Sequence, residues 1–183
     1  VVHNITQSTS APTFAQSGYP FSNSLSLALV TPDDTLSGSD YCFFRHIIEG
    51  YNFAPIAGKT VTLSFWVRSG KIGIYSVSFR NNGNTRTYVA EYTISVANTW
   101  EKKTITLALD TAGSWLYDNG KGLELGFVLA SGPDLKTAST NTWLTGGYIA
   151  SSNQVNGCET GAGTFLITGI MLNEGSIAMP FQT

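Results

Sequence analysis

Apolar and polar residues alternate through much of this chain, and the repeat is two residues rather than 3.6. In GKTVTLSFWVRSG, residues 58–70, Val61, Leu63, Phe65 and Val67 fall on one side and Thr62, Ser64, Trp66 and Arg68 on the other. That is the pattern of a strand with one buried face. Runs of the same kind cover residues 24–30, 41–49, 60–68, 73–80, 88–95, 100–110, 122–130 and 164–173, with an extra strand expected in 1–9. No segment has a convincing helical repeat, so the fold class is predicted as all-β.

The breaks between runs carry turn chemistry: TPDD, SGSD, AGK, NNGN and DNGKG. NNGN, residues 81–84, joins two alternating runs and is the most secure hairpin. Residues 131–163 form a connection far longer than usual, rich in Ser, Thr, Asn and Gly, and its length marks it as functional or partly disordered. It also contains Trp143, Leu144, Tyr148 and Ile149, which give it something to pack with.

Eight such strands suit an antiparallel two-sheet sandwich wound as a jelly roll. The interleaving of that topology predicts the first, eighth, third and sixth runs in one sheet and the second, seventh, fourth and fifth in the other. On the first sheet the outward residues include Trp66, Arg68 and Lys102, beside an eighth run, TFLITGIML, that is apolar on both faces. A doubly apolar strand predicts a covered face. Trp66 and Arg68 are therefore expected under the N-terminal segment, under the closing IAMPFQT, or in a subunit contact. On the second sheet Arg45, Arg80, Glu91 and Glu124 fall on the outward face beside Gly126. They make either a shallow binding groove or a set of cross-strand ion pairs in water.

A length of 183 residues suits one domain, spanning 1–183, with 1–20 as a tail or edge strand and 131–163 as the long loop. The start at Val1 reads as a processed product or an excised piece. With 12% charged residues and a net charge of −2, the chain offers no cationic surface for nucleic acid. No apolar run is long enough to insert in a membrane as a helix.

Cys42 and Cys158 are the only cysteines and lack metal-ligand spacing, which leaves two free thiols or one bridge. His46 shares the inward face with Cys42 and Phe44, where a buried neutral imidazole is expected. No cofactor is indicated apart from structural calcium, for which Asp33, Asp34, Asp40, Asp110 and Asp118 lie in turns. Turn formation accounts for these aspartates equally well. Glu91 and Glu124 are the one carboxylate pair to weigh for glycan hydrolysis, but neighbouring arginines would depress the pKa that a general acid needs raised. No nucleophile or metalloprotease motif is present, and no catalytic residue is assigned.

The succession FFRHIIEGYNFAPIAGKTVTLSFWVRSGKIGIYSVSFRNN, RTYVAEYTISVANTWEKKTITL, GLELGFVLASG, NTWLTGGYIASSNQVN and FLITGIMLNEGSIAMPFQ resembles a C-terminal module of tailed-bacteriophage tail-fibre and virion proteins. The resemblance runs from about Gly18 onward. Cys42, His46 and Cys158 depart from its pattern. That module is in turn similar to the jelly-roll carbohydrate-binding modules of families 4 and 9.

The resemblance implies a virion location and a non-catalytic module that binds polysaccharide or oligosaccharide, within a fibre that is a homotrimer. Sugar recognition of this kind combines an aromatic ring with polar side chains. The expected ligand site is one loop pair, Trp115 with Tyr117 or Trp143 with Tyr148, together with Arg45, Arg80, Glu91 or Glu124. The competing reading is a structural or oligomerising module that recognises only protein, through Trp66 and Arg68.

Overall fold

The computed structural model describes residues 1–182. Its strands are β1 (Val2–Ser8), β2 (Ser24–Thr31), β3 (Tyr41–Glu49), β4 (Thr60–Ser69), β5 (Gly73–Arg80), β6 (Arg86–Ile94), β7 (Glu101–Ala108), β8 (Lys121–Ser131), β9 (Lys136–Thr137), β10 (Trp143–Thr145), β11 (Ala150–Ser151) and β12 (Thr164–Glu174). The eight runs of alternating residues are β2 to β8 and β12, and the extra strand expected in 1–9 is β1. Among the described residues no helix is long and apolar enough to cross a membrane.

Two five-stranded antiparallel sheets stack face to face, in the orders β1-β2-β12-β4-β7 and β10-β6-β5-β8-β3. The interleaved pairing predicted for a jelly roll is thus present, with β1 and β10 added at the edges. Strands β9 and β11 form a small parallel pair of their own. The inward residues follow the alternation: Val61, Leu63, Phe65 and Val67 of β4 face Tyr75, Val77 and Phe79 of β5 and Leu123, Leu125 and Phe127 of β8, all essentially without exposed surface. Phe65 meets Tyr92 and Phe127 edge-on, with centroids 5.1 and 5.2 Å apart. Each buried ring contributes about 1.5–3 kcal/mol by removal from water. Edge-to-face contacts add about 0.5–1.5 kcal/mol per pair.

The outward Trp66 is covered by the chain itself. Tyr19, Phe21 and Phe181 form a three-ring cluster, with centroids 4.7–5.0 Å apart, over a small cavity that Trp66 and Gly169 also line. Gly169 sits at a bulge in β12 with a left-handed backbone (φ 61°), and a Cβ there would lie 2.6 Å from the Phe21 ring. Glycine is needed for both the turn and the contact. Arg68 donates from Nε to the Asn98 carbonyl (2.7 Å) and from Nη1 to Ser10 Oγ (3.0 Å).

The outer face of the second sheet is drier than a polar groove would be. Ser76, Ser78, Val89 and Val128 have no exposed surface. The long connection lies across them, because Leu135, Ile149 and Ala150 bury against Val128 and Phe43 as a second small core. Hydrogen bonds tie it there: Ser151 N donates to Ser76 Oγ (3.0 Å), and the Gln154 side chain donates from Nε2 to the carbonyls of Val128 and Leu129 (3.3 Å each).

The expectation for His46 needs correction. It is exposed, at the mouth of a cleft between the sheets lined by Leu25, Phe44, Phe127 and Ile170. Its strand is the last of its sheet, and the open cleft beside it leaves the imidazole uncovered.

Candidate functional site

Where the long connection stops short of β3, the outer face of the second sheet keeps a cavity of about 220 Å³ lined by Tyr41, Phe43, Arg45, Arg80, Asn84, Leu135 and Ile149. Its floor is built by strand register. Arg80 of β5 lies directly opposite Glu124 of β8, and Arg45 of β3 lies opposite Gly126, one pleat along on the same face.

Glu124 is completely buried and organises the cations around it. Its Oε1 accepts from Arg80 Nε (2.9 Å) and Nη2. Its Oε2 accepts from Arg45 Nη1 (3.0 Å) and Lys121 Nζ (3.1 Å), and Lys121 also donates to Asn84 Oδ1 (3.3 Å). Burial by itself would raise the pKa of Glu124, but the hydrogen bonds and charges of Arg80 and Lys121 outweigh it and hold the carboxyl below its ordinary range. Three cations around one carboxylate leave a surplus of two positive charges.

Two aromatic rings flank these guanidiniums. Tyr41 and Phe43 lie 5.3 Å apart between centroids, and the Arg80 guanidinium sits 5.5 Å from the centre of the Phe43 ring. Tyr41 is 62% exposed, so its ring is available to a ligand. Gly126 makes room underneath: a Cβ there would lie 2.6 Å from Ser78 Oγ and 3.3 Å from the edge of the Phe43 ring. Among the described residues, neither Arg80 Nη1 nor Arg45 Nη2 makes a hydrogen bond within the chain. These donors remain for a ligand.

Of the site residues expected from sequence, the structure brings together Arg45, Arg80 and Glu124. Glu91 is elsewhere on the sheet, accepting from Asn153 Nδ2 (3.0 Å). Trp115 is only 8% exposed, stacks on Phe53 (4.9 Å) and donates from Nε1 to the Ala112 carbonyl (2.8 Å). Trp143 pairs as part of β10 with β6, packs against Tyr88 and Trp115, and donates to the Ala108 carbonyl (2.8 Å). Tyr117 stacks over Phe53 at 5.9 Å, and Tyr148 lies against Gly146. Trp115, Trp143 and Tyr148 thus close one end of the sandwich or brace the long connection, while Tyr117 keeps 47% of its surface exposed outside the cavity lined by Arg45 and Arg80.

Tyr41 and Phe43 are absent from the sequence-based set, although they precede Arg45 on its own strand at the two-residue spacing. The turn aspartates are engaged within the chain: Asp33, Asp40 and Asp118 accept from backbone amides within three residues, Asp34 accepts from Thr160 N and Oγ1 across the fold, and Asp110 accepts from Ala112 N and Arg86.

No protein-family model matches the sequence, and no curated protein matches it. Among solved structures, the chain is similar to the enzymatically active domain of bacteriophage CBA120 tailspike protein 4, at 14% identity and a TM-score of 0.49, covering 94% of this chain. It spans only 18% of the length of that tailspike chain. It is also similar to a CBM4 structure (15% identity, 83% of this chain and 71% of the other, TM-score 0.45). A third likeness is to the family 11 carbohydrate-binding module from Clostridium thermocellum in complex with a β-1,3-1,4-mixed-linked tetrasaccharide (11% identity, 92% and 81% covered, TM-score 0.41). All three likenesses are loose.

Proposed function

We propose that this chain is a non-catalytic module that binds polysaccharide through the cleft between β3 and the long connection, and that it prefers sugars carrying a carboxylate. One observation carries this reading. An exposed tyrosine and a phenylalanine stand beside two guanidiniums on a buried carboxylate, Arg80 held by two hydrogen bonds and the more exposed Arg45 by one. Aromatic faces suit the apolar side of a pyranose, and preset arginine forks suit a carboxylate and its neighbouring hydroxyls. The cavity is smaller than the ~300–1,000 Å³ of sites for drug-sized ligands, so one ring of a longer glycan enters it.

The chemistry in the cleft favours binding over hydrolysis. Cleaving a glycosidic bond uses two carboxyl groups, one of them kept protonated. The cleft holds Glu124 ionised, and Glu91 is bonded to Asn153 instead. Ring contacts of about 1 kcal/mol and charged hydrogen bonds of about 1.5–3 kcal/mol each are largely offset by the costs of association, so a single site binds weakly. Display on a phage fibre, the setting implied by the sequence resemblance, would make such weak sites effective together.

The test is a panel of uronate-containing and neutral oligosaccharides titrated by calorimetry at two salt concentrations. Acidic sugars should bind more tightly, and added salt should narrow the gap. Phe43→Ala should weaken binding by about 5-fold, a contact of roughly 1 kcal/mol. Arg45→Ala should remove most of the acidic preference. Equal binding of acidic and neutral sugars, unchanged by either substitution, would overturn the proposal.

A further inference from the structure

On the other face of β3, three side chains from distant parts of the chain converge. His3 of β1, Cys42 of β3 and Cys158 of the long connection place one imidazole nitrogen and two sulfurs all within 4.8 Å of one another. The sulfurs are free thiols, and Cys42 Sγ lies 3.7 Å from His3 Nδ1. Strand β1 is an edge of the first sheet and β3 an edge of the second, so the cluster sits where the two sheets are open to one another.

The position of Cys158 is set by its backbone. Its N–H donates to Asn156 Oδ1 (2.9 Å), its carbonyl accepts from Asp33 N (2.9 Å), and Gly157 N donates to the Leu129 carbonyl (2.8 Å). Cys158 is fully buried, while Cys42 and His3 are partly exposed, which gives an ion a path from solvent.

We infer that His3, Cys42 and Cys158 form a binding site for a thiophilic divalent cation, with zinc as the ion that fits it. A tetrahedral zinc with Zn–S near 2.3 Å and Zn–N near 2.0–2.1 Å sets its donors about 3.6–3.8 Å apart. The Cys42–His3 separation already has that value, and the remaining separations need to close by at most about 1 Å. Both thiols lose their protons to solvent as the two sulfur–metal bonds form, His3 contributes its Nδ1 lone pair, and water completes the fourth position. No electrons are transferred.

A disulfide between Cys42 and Cys158 would leave the imidazole without a role, whereas the metal uses all three groups. Bound there, the ion clasps β1, β3 and the long connection together across the open edge of the sandwich.

Cobalt(II) titrated into tag-free protein, kept reduced by a non-thiol reductant, tests this directly. One equivalent should give an intense near-ultraviolet thiolate-to-cobalt band and the visible bands of a tetrahedral ion, both abolished by added zinc. Zinc should also raise the thermal midpoint, and a chelator should reverse the rise. Cys42→Ser should abolish the charge-transfer band, or shift and weaken it, and His3→Ala, which removes a donor outright, should weaken cobalt binding by at least the ~10-fold that loss of a supporting outer-shell partner costs. Both residues are partly exposed, so these variants should fold without the buried Cys158 being touched. A reduced wild-type protein with no charge-transfer band overturns the inference, as does a band indifferent to both substitutions. A Cys42–Cys158 crosslink in the purified protein, with no cobalt bound after its reduction, overturns it equally.

Discussion

Replacing Glu124 with glutamine keeps the shape of the side chain and removes the charge on which three cations converge. Glu124 has no exposed side-chain surface and Arg80 retains 8%, whereas Arg45 is 52% exposed. The Arg45 pair, screened by water, contributes at most about 1 kcal/mol. The Arg80 pair is different, because breaking a buried ion pair from one side costs about 3–5 kcal/mol through the charge left uncompensated. Glutamine still offers one acceptor oxygen, so the lower end, about 3 kcal/mol, is expected.

That is a large share of the roughly 5–15 kcal/mol by which a domain is normally stable. It corresponds to a fall of roughly 6–12 °C in Tm at this chain length. The loss must also depend on pH. The pKa of Glu124 is lowered in the folded state, so its contribution is fully present above the unfolded value near 4.3 and disappears as pH falls through the folded value. Urea unfolding at neutral pH and at progressively acid pH measures both effects. Wild type and Glu124→Gln should differ by about 3 kcal/mol at pH 7 and converge in acid. A difference below about 1 kcal/mol at pH 7, or one constant with pH, would refute this account of the charge cluster.

Three other outcomes are expected. Trp115→Ala should cost about 3–5 kcal/mol of stability, measured by denaturant unfolding, as for a large ring removed from a core. Phe21→Ala should uncover Trp66, seen as a red shift of tryptophan emission with a loss of about 1–3 kcal/mol, smaller than for a fully buried ring. On immobilised acidic polysaccharide, a trimeric fusion should bind on the order of 10² more tightly than the isolated chain, provided its sites face one surface; surface plasmon resonance would detect the absence of any gain.

The fold was legible because alternation is a local signal. Val61 to Val67 and Leu123 to Phe127 announce an inward face without knowledge of any partner strand, and the jelly-roll winding then sets which strands are neighbours. The ionic half of the site was legible for the same reason, since Arg45, Arg80 and Glu124 share an outward face by parity. Tyr41 and Phe43 obey that parity approximately, with a bulge between Cys42 and Phe43 shifting the register.

What the sequence concealed depends on how non-repetitive segments pack. A tryptophan in a stretch of Gly, Ser and Asn looks like a loop aromatic, yet Trp115 is held in the core by Phe53 and by its own indole hydrogen bond. The path of residues 131–163 over the second sheet follows from side chains such as Ile149 finding a dry surface, which periodicity does not encode. The convergence of His3, Cys42 and Cys158 has no spacing signature at all, because three separate elements supply the donors.

The central claim, that ligand binds beside β3 and the long connection, is tested most directly by nitrogen-15 NMR during titration with a uronic-acid oligosaccharide. The account predicts that the largest shifts fall on the amides of residues 41–45, 84, 135 and 149 and on the Nε–H signals of Arg45 and Arg80. Shifts concentrated instead around Leu25 and Ile170, around Trp66, or nowhere at millimolar sugar would contradict it.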